Sequence, residues 1–236
     1  MDEINMNKRL SEYKAVVFDL DGTLYYQRQL RIKMAWMLGS YYLCHFWRIK
    51  ELFVVKRFRE VREKWDELKP DAKGEGTGEC GGKTCSLEDM QYRYVADIMN
   101  FPAQQVKKTV EMWIYDKPLK AVADTADREL LEMIDALKKK GRSVFVFSDY
   151  PIEDKLNVLM LKVDGMYAAT DERVNELKPS PKGLELIMED HSLKNEDILM
   201  IGDRMSRDGL AAINAGCDYI ILPKTKRARK RLYKDI

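Results

Sequence analysis

Ala15-Val16-Val17-Phe18 is an uninterrupted apolar run that ends on Asp19, and three runs of the same kind recur far along the chain. Val144 to Phe147 ends at Ser148, Ile198 to Ile201 ends at Gly202-Asp203, and Tyr219 to Leu222 ends at Pro223. Short β-rich runs with no polar alternation suit strands covered on both faces. Helical patterns lie between the later runs, and this alternation predicts an α/β fold built on a parallel sheet.

The helices carry their own punctuation. Glu129 to Lys140 places Leu130, Leu131, Ile134 and Leu137 on one face, ends in three lysines that favour a helix C-terminus, and stops at Gly141. Pro151 and Ser180-Pro181 open further helices, and Asp208 to Ala215 ends at Gly216.

Residues 25–124 read differently. They hold all four tryptophans (Trp36, Trp47, Trp65, Trp113) and no clear strand. Helical patterns run from about Gln27 to Phe46 and from about Arg48 to Leu68, then from Ser86, with Asp89 three residues on, and from Pro102. Between them, Pro70 to Cys85 carries five of the thirteen glycines and no apolar period, which reads as a mobile loop. The pattern predicts a core of 1–24 and 125–236 with a helical insertion of 25–124, a division that suits a chain of 236 residues.

Lys+Arg at 41 against Asp+Glu at 39 argues against a nucleic-acid binder held by bulk charge. Four cysteines do not make a disulfide scaffold, and the mixed charges before Lys14 are unlike a secretory leader, so a cytoplasmic protein is expected. Met34 to Trp47 is too short to span a bilayer; a long core helix is the expected reading, and an interfacial amphipathic helix is the alternative. Cys80-x4-Cys85, with Cys44-His45 upstream, is not a standard zinc spacing and is read as exposed loop thiols. The aromatic residues Tyr25, Tyr26, Trp36, Tyr41, Tyr42 and Trp113 are expected to be mostly core, with a few near Tyr25 lining the pocket, and Lys224 to Arg231 a solvated helix end. His45 and His191 are the only histidines, and neither sits where His-dependent chemistry would be expected.

The chemistry concentrates at the strand ends. Asp19-Leu20-Asp21-Gly22-Thr23-Leu24 follows the first strand directly, where α/β sheets place their ligands. Two carboxylates with one residue between them can face one substrate, one as nucleophile and one as proton donor. Ser148, followed by a helix start, is placed to bind an anion. Asp203 and Asp208 flank the end of a later strand, so four acids gather on one sheet edge and repel one another. A hard divalent ion, Mg²⁺ first, meets that need, with Lys178 of Leu177-Lys178-Pro179-Ser180-Pro181 as a fixed positive charge beside it.

These four elements, in this order, resemble the signature of the haloacid dehalogenase superfamily of phosphohydrolases, over about residues 12–24 and 125–223. The resemblance implies a Rossmann-like three-layer parallel-sheet core with an inserted all-helical cap of the first type. It implies Asp19 as nucleophile and Asp21 as acid and base, with Ser148, Asp149 and Lys178 at the phosphoryl group. It further implies Mg²⁺ held by Asp19, the Asp21 backbone carbonyl and Asp203, with Asp208 on the metal, its water or Lys178. Dehalogenating members lack the second acid, so Asp21 favours phosphoester hydrolysis of a small phosphorylated metabolite. The alternatives are a phosphomutase of the same fold and a non-catalytic binding module.

Overall fold

The computed structural model describes residues 4–5, 9–68, 79–80 and 83–235. Strands β1 (Ile4–Asn5) and β2 (Ala15–Phe18) come first. Then follow α1 (Gln27–Cys44), α2 (Lys50–Glu63), α3 (Trp65–Leu68), the paired strands β3 (Glu79–Cys80) and β4 (Lys83–Thr84), α4 (Leu87–Met99), α5 (Ala103–Val110) and α6 (Lys117–Val122). The remaining elements are α7 (Arg128–Lys139), β5 (Ser143–Ser148), α8 (Glu153–Leu159), β6 (Gly165–Ala168), α9 (Lys182–His191), β7 (Ile198–Gly202), α10 (Leu210–Ala215), β8 (Asp218–Ile221) and α11 (Lys226–Asp235). The chain divides into two compact units, Met1–Leu30 with Val122–Ile236, and Arg31–Ala121.

The first unit is a Rossmann-like sheet of order β1-β8-β7-β2-β5-β6, parallel from β8 to β6, with β1 antiparallel on one edge. β2 lies between β5 and β7, with Phe18 opposite Val146 and Ile201. Every residue of β2 is buried, because helices cover both faces; this is the physical origin of its unbroken apolar run. On one face Val17, Phe145, Phe147 and Met200 pack with Leu184 and Ile187 of α9 and with Ala211 and Ala212 of α10. Each large apolar side chain so buried contributes about 1.5–3 kcal/mol. α7 turns its buried Leu130, Ile134 and Leu137 inward and is capped by Asp127, whose carboxylate accepts from the Leu130 N–H. The sequence pattern missed β6, where only Tyr167 and Ala168 of four residues are buried.

Among its described residues the second unit is helical apart from the paired strands β3 and β4. Ser86 caps α4 as expected, accepting from Asp89 N. Pro102 precedes α5, which continues through a π-helical turn at Glu111–Asp116 into α6. Val54, Phe58, Val61, Tyr92, Val95, Val106 and Val110 form its interior, with Phe58 and Tyr92 stacked at 5.4 Å.

Three readings need correction. Trp36 is 78% exposed, so α1 is not simply a core helix. Its apolar residues occupy two faces, and only one of them is covered. Cys85 is buried and disulfide-bonded, hence neither an exposed thiol nor a zinc ligand. The side chain of Cys80 and most of the proposed mobile loop, 70–85, lie outside the described residues. Finally, the basic run 224–231 is not wholly solvated, since Arg229 is buried. Among the described residues, no helix is long and apolar enough to cross a membrane.

Candidate active site

β2 delivers Asp19 to the C-terminal edge of the sheet, where its N–H donates to Ile201 O of β7 at 2.8 Å. The chain then turns tightly, with Thr23 and Leu24 N–H returning to Leu20 O. Gly22 has φ +108°, and a Cβ there would lie 2.4 Å from an Asp203 carboxylate oxygen. Only glycine serves at that point. Thr23 Oγ1 donates to Asp19 Oδ2 at 3.0 Å and helps fix the carboxylate.

Lys178 is 1% exposed, and its ammonium lies 2.5 Å from Asp19 Oδ1 and 2.5 Å from Asp208 Oδ1. The loop that carries it is held in place by Asp149, whose Oδ1 accepts from Lys178 N at 2.9 Å, and by Arg207, whose guanidinium donates to Lys178 O. The Lys178–Pro179 bond is cis. Asp208 Oδ2 accepts from the N–H groups of Asp203 and Arg204, an approach that the bare Cα of Gly202 permits, since a Cβ would sit 2.2 Å from that of Asp208.

Oxygens of Asp19, Asp203 and Asp208 lie within 4.8 Å of one another. Burial, then the charge of Asp208, pushes the Asp19 carboxyl up to about 8 despite Lys178. The same two causes push Asp203 up to about 6. Asp203 Oδ1 is buried without a hydrogen-bond partner. An orphaned carboxylate oxygen facing two further acids is the donor set of a hard divalent cation, so the residues present fit Mg²⁺.

Asp21 goes elsewhere. Its carboxylate accepts from Lys155 Nζ at 2.6 and 2.9 Å, from Tyr25 OH, and from Ser148 Oγ at 3.5 Å. Burial alone would raise its pKa, but Lys155 outweighs that and holds the carboxyl below its ordinary value. Its side chain therefore stands outside the three-acid cluster. Ser148, fully buried at the end of β5, also accepts from Tyr150 N at 3.1 Å. Asp149 accepts from Lys178 N through Oδ1, and its Oδ2 pairs with Arg204 at 3.7 Å, so its carboxylate serves the loop and the cation beside it.

Sequence reasoning missed Lys155 and Arg229, and it placed Tyr25 near the pocket without its bond to Asp21. Lys155 left one signal: it stands in the first turn of α8, where the helix dipole disfavours a cation, so a strong partner was to be expected. Arg229 of α11 donates to Gly22 O, to Thr23 O at 2.8 Å and to Pro223 O at 2.8 Å, and pairs with Asp127 Oδ2 at 3.0 Å. It pins the turn that follows Asp19 from the far end of the described chain.

A parallel α/β sheet with acids gathered at its carboxyl edge is the architecture of Rossmann-like enzymes. The haloacid dehalogenase-like hydrolase family matches residues 13–216, and the chain belongs to that family. Among solved structures it is similar to the putative hydrolase YfnB from Bacillus subtilis, solved with magnesium, at a TM-score of 0.60 and 12% identity over 95% of this chain and 98% of that one. It is also similar to the 2-haloacid dehalogenase from Pseudomonas syringae pv. Tomato DC3000 (TM-score 0.58, 16% identity, 89% and 86% covered). A third is the HAD phosphatase from Thermococcus onnurineus (0.52, 17%, 94% and 97%). At these identities the likeness is one of fold. No curated protein matches the sequence.

Proposed function

We propose that this hydrolase is a Mg²⁺-dependent phosphatase that acts on a small phosphorylated metabolite through an aspartyl-phosphate, with the helical unit as its cap. The observation that carries the reading is the cluster of Asp19, Asp203 and Asp208 with its orphaned Asp203 oxygen. A carboxylate attacking a phosphate dianion meets strong repulsion and needs cations around the phosphoryl oxygens; displacement of a halide from carbon does not.

Asp19, Asp203 and the Asp21 backbone carbonyl would hold Mg²⁺, with Asp208 fixing Lys178; when bound, the ion neutralises charge on the phosphoryl oxygens. Asp19 attacks phosphorus as the bond to the leaving oxygen breaks, and Lys178 and Ser148 hold phosphoryl oxygens. Asp21 takes up the proton that a monoanionic substrate brings in, which leaves the dianion that Asp19 attacks, and passes it to the leaving oxygen. In the second half it takes a proton from the water that attacks the aspartyl-phosphate, freeing Asp19 and releasing inorganic phosphate. The carboxylate state of Asp21 in the free protein suits that second step.

A panel of phosphomonoesters with inorganic phosphate as readout tests the reading. Mg²⁺-dependent phosphate release is expected. Isomerised sugar phosphates without phosphate release, or no turnover of any member, would overturn it.

Lys155 and Tyr25 act through Asp21. Lys155→Met is expected to lower kcat by about 10–100-fold with little change in KM, because a misplaced acid–base group costs chemistry rather than binding. Lys155→Arg should restore part of the loss. A rise in KM alone would count against this role.

Proton linkage gives a second check. Asp19 and Asp203 have folded-state pKa values raised from 3.8 to about 8 and about 6. Their stabilising contribution is therefore complete below about pH 4 and is lost as pH rises through 6 and 8. Asp21, lowered from 3.8, has already ionised across that window. Mg²⁺ replaces the bound protons, so it should raise Tm more at pH 8 than at pH 5. A Mg²⁺-induced shift independent of pH would contradict this.

A further inference from the structure

α1 is apolar on two opposite faces. Met34 is buried on one, while on the other Ile32, Trp36 and Leu43 are 54%, 78% and 83% exposed. At 100° per residue these three fall within an arc of about 40°. The exposed stripe continues past the end of the helix through Phe46 and Trp47, at 72% and 65%, to Ile49 and Phe53 at 43% and 58%. Phe46 and Trp47 touch edge to face at 5.3 Å, so the tip is one patch. The four aromatics alone expose on the order of 500 Å², within the range of the largest apolar patch on a soluble monomer, which is often functional.

The charge around this patch is one-sided. Residues 27–60 hold eight Lys and Arg against two acids, Glu51 and Glu60, although the whole chain is at only +2. Arg31 and Lys50, both exposed, adjoin Ile32 and Ile49 in the chain. Protruding Trp, Phe and Leu in a strongly basic segment match the chemistry of an anionic lipid surface. The rings enter the headgroup boundary, the cations meet phosphate and carboxylate groups, and the long basic stems reach back to water.

We infer that the Ile32–Phe53 surface docks this enzyme onto anionic bilayers by shallow insertion of Trp36, Leu43, Phe46 and Trp47. The inference is independent of the substrate and holds or fails apart from the phosphatase reading.

The protein carries its own probe, since Trp36 and Trp47 are exposed while Trp65 and Trp113 are buried at 3% and 1%. Vesicles of phosphatidylcholine with phosphatidylserine should shift tryptophan emission to the blue and sediment the 236-residue protein; phosphatidylcholine alone should do so far less. Trp36→Ser and Trp47→Ser should each weaken sedimentation by about tenfold, and Arg31→Glu with Lys50→Glu should do the same. All four positions are exposed, so circular dichroism and Tm should not change. No association of the wild type with phosphatidylserine vesicles overturns the inference, as does equal binding by the Ser variants. Self-association of the wild type that the Ser variants abolish, without vesicle binding, assigns the patch to a second copy of the chain and overturns it too.

Discussion

Asp19→Asn is expected to reduce phosphate release by on the order of 10⁴-fold or more, and to leave the melting temperature within a few degrees of the wild type. A neutral amide oxygen cannot form the aspartyl-phosphate, so the loss should fall on kcat. The fold survives because Asn still offers Oδ1 to Lys178, because its Nδ2 can donate to the Thr23 hydroxyl where the carboxylate accepted from it, and because the substitution removes one of three mutually repelling acids. Steady-state kinetics beside thermal unfolding checks both halves. Activity within tenfold of the wild type would show that Asp19 is not the nucleophile.

Arg229→Met should have the largest effect on stability. The guanidinium is 2% exposed, and its removal leaves the Asp127 carboxylate, also 2% exposed, with no cation and three backbone carbonyls without their donor. Breaking a buried pair from one side costs about 3–5 kcal/mol, or about 10 °C in a chain of this size. Lys230→Met, one residue on, removes an exposed pair with Glu129 and should cost less than about 0.5 kcal/mol. Equal losses in the two variants would refute the buried-latch account. Arg229→Lys should not restore stability, because an ammonium cannot reach three carbonyls and a carboxylate at once.

The sheet was legible in the sequence where strands are buried on both faces, since burial leaves only apolar residues to choose from; β2, β5, β7 and β8 follow that rule. β6 lies on the edge and exposes Met166, so its four residues carried no such signal. The acids were legible because each follows a strand end. What folds back onto them was not. Lys155 and Arg229 come from helices, and Arg229 is one of six basic residues within eight, only its packing setting it apart. Trp36 was misread for a different reason: apolar spacing along a helix describes which residues share a face and says nothing about what, if anything, covers it.

The latch also bears on biosynthesis. β2 emerges early, yet its neighbours β5 and β7 are made more than a hundred residues later, and the donor to Gly22 and Thr23 later still. A growing chain thus exposes an unpaired central strand while the helical unit is completed, and the turn after Asp19 cannot be fixed until α11 has left the ribosome. Such a chain should call on chaperones during synthesis, and it should be inert until α11 has been made.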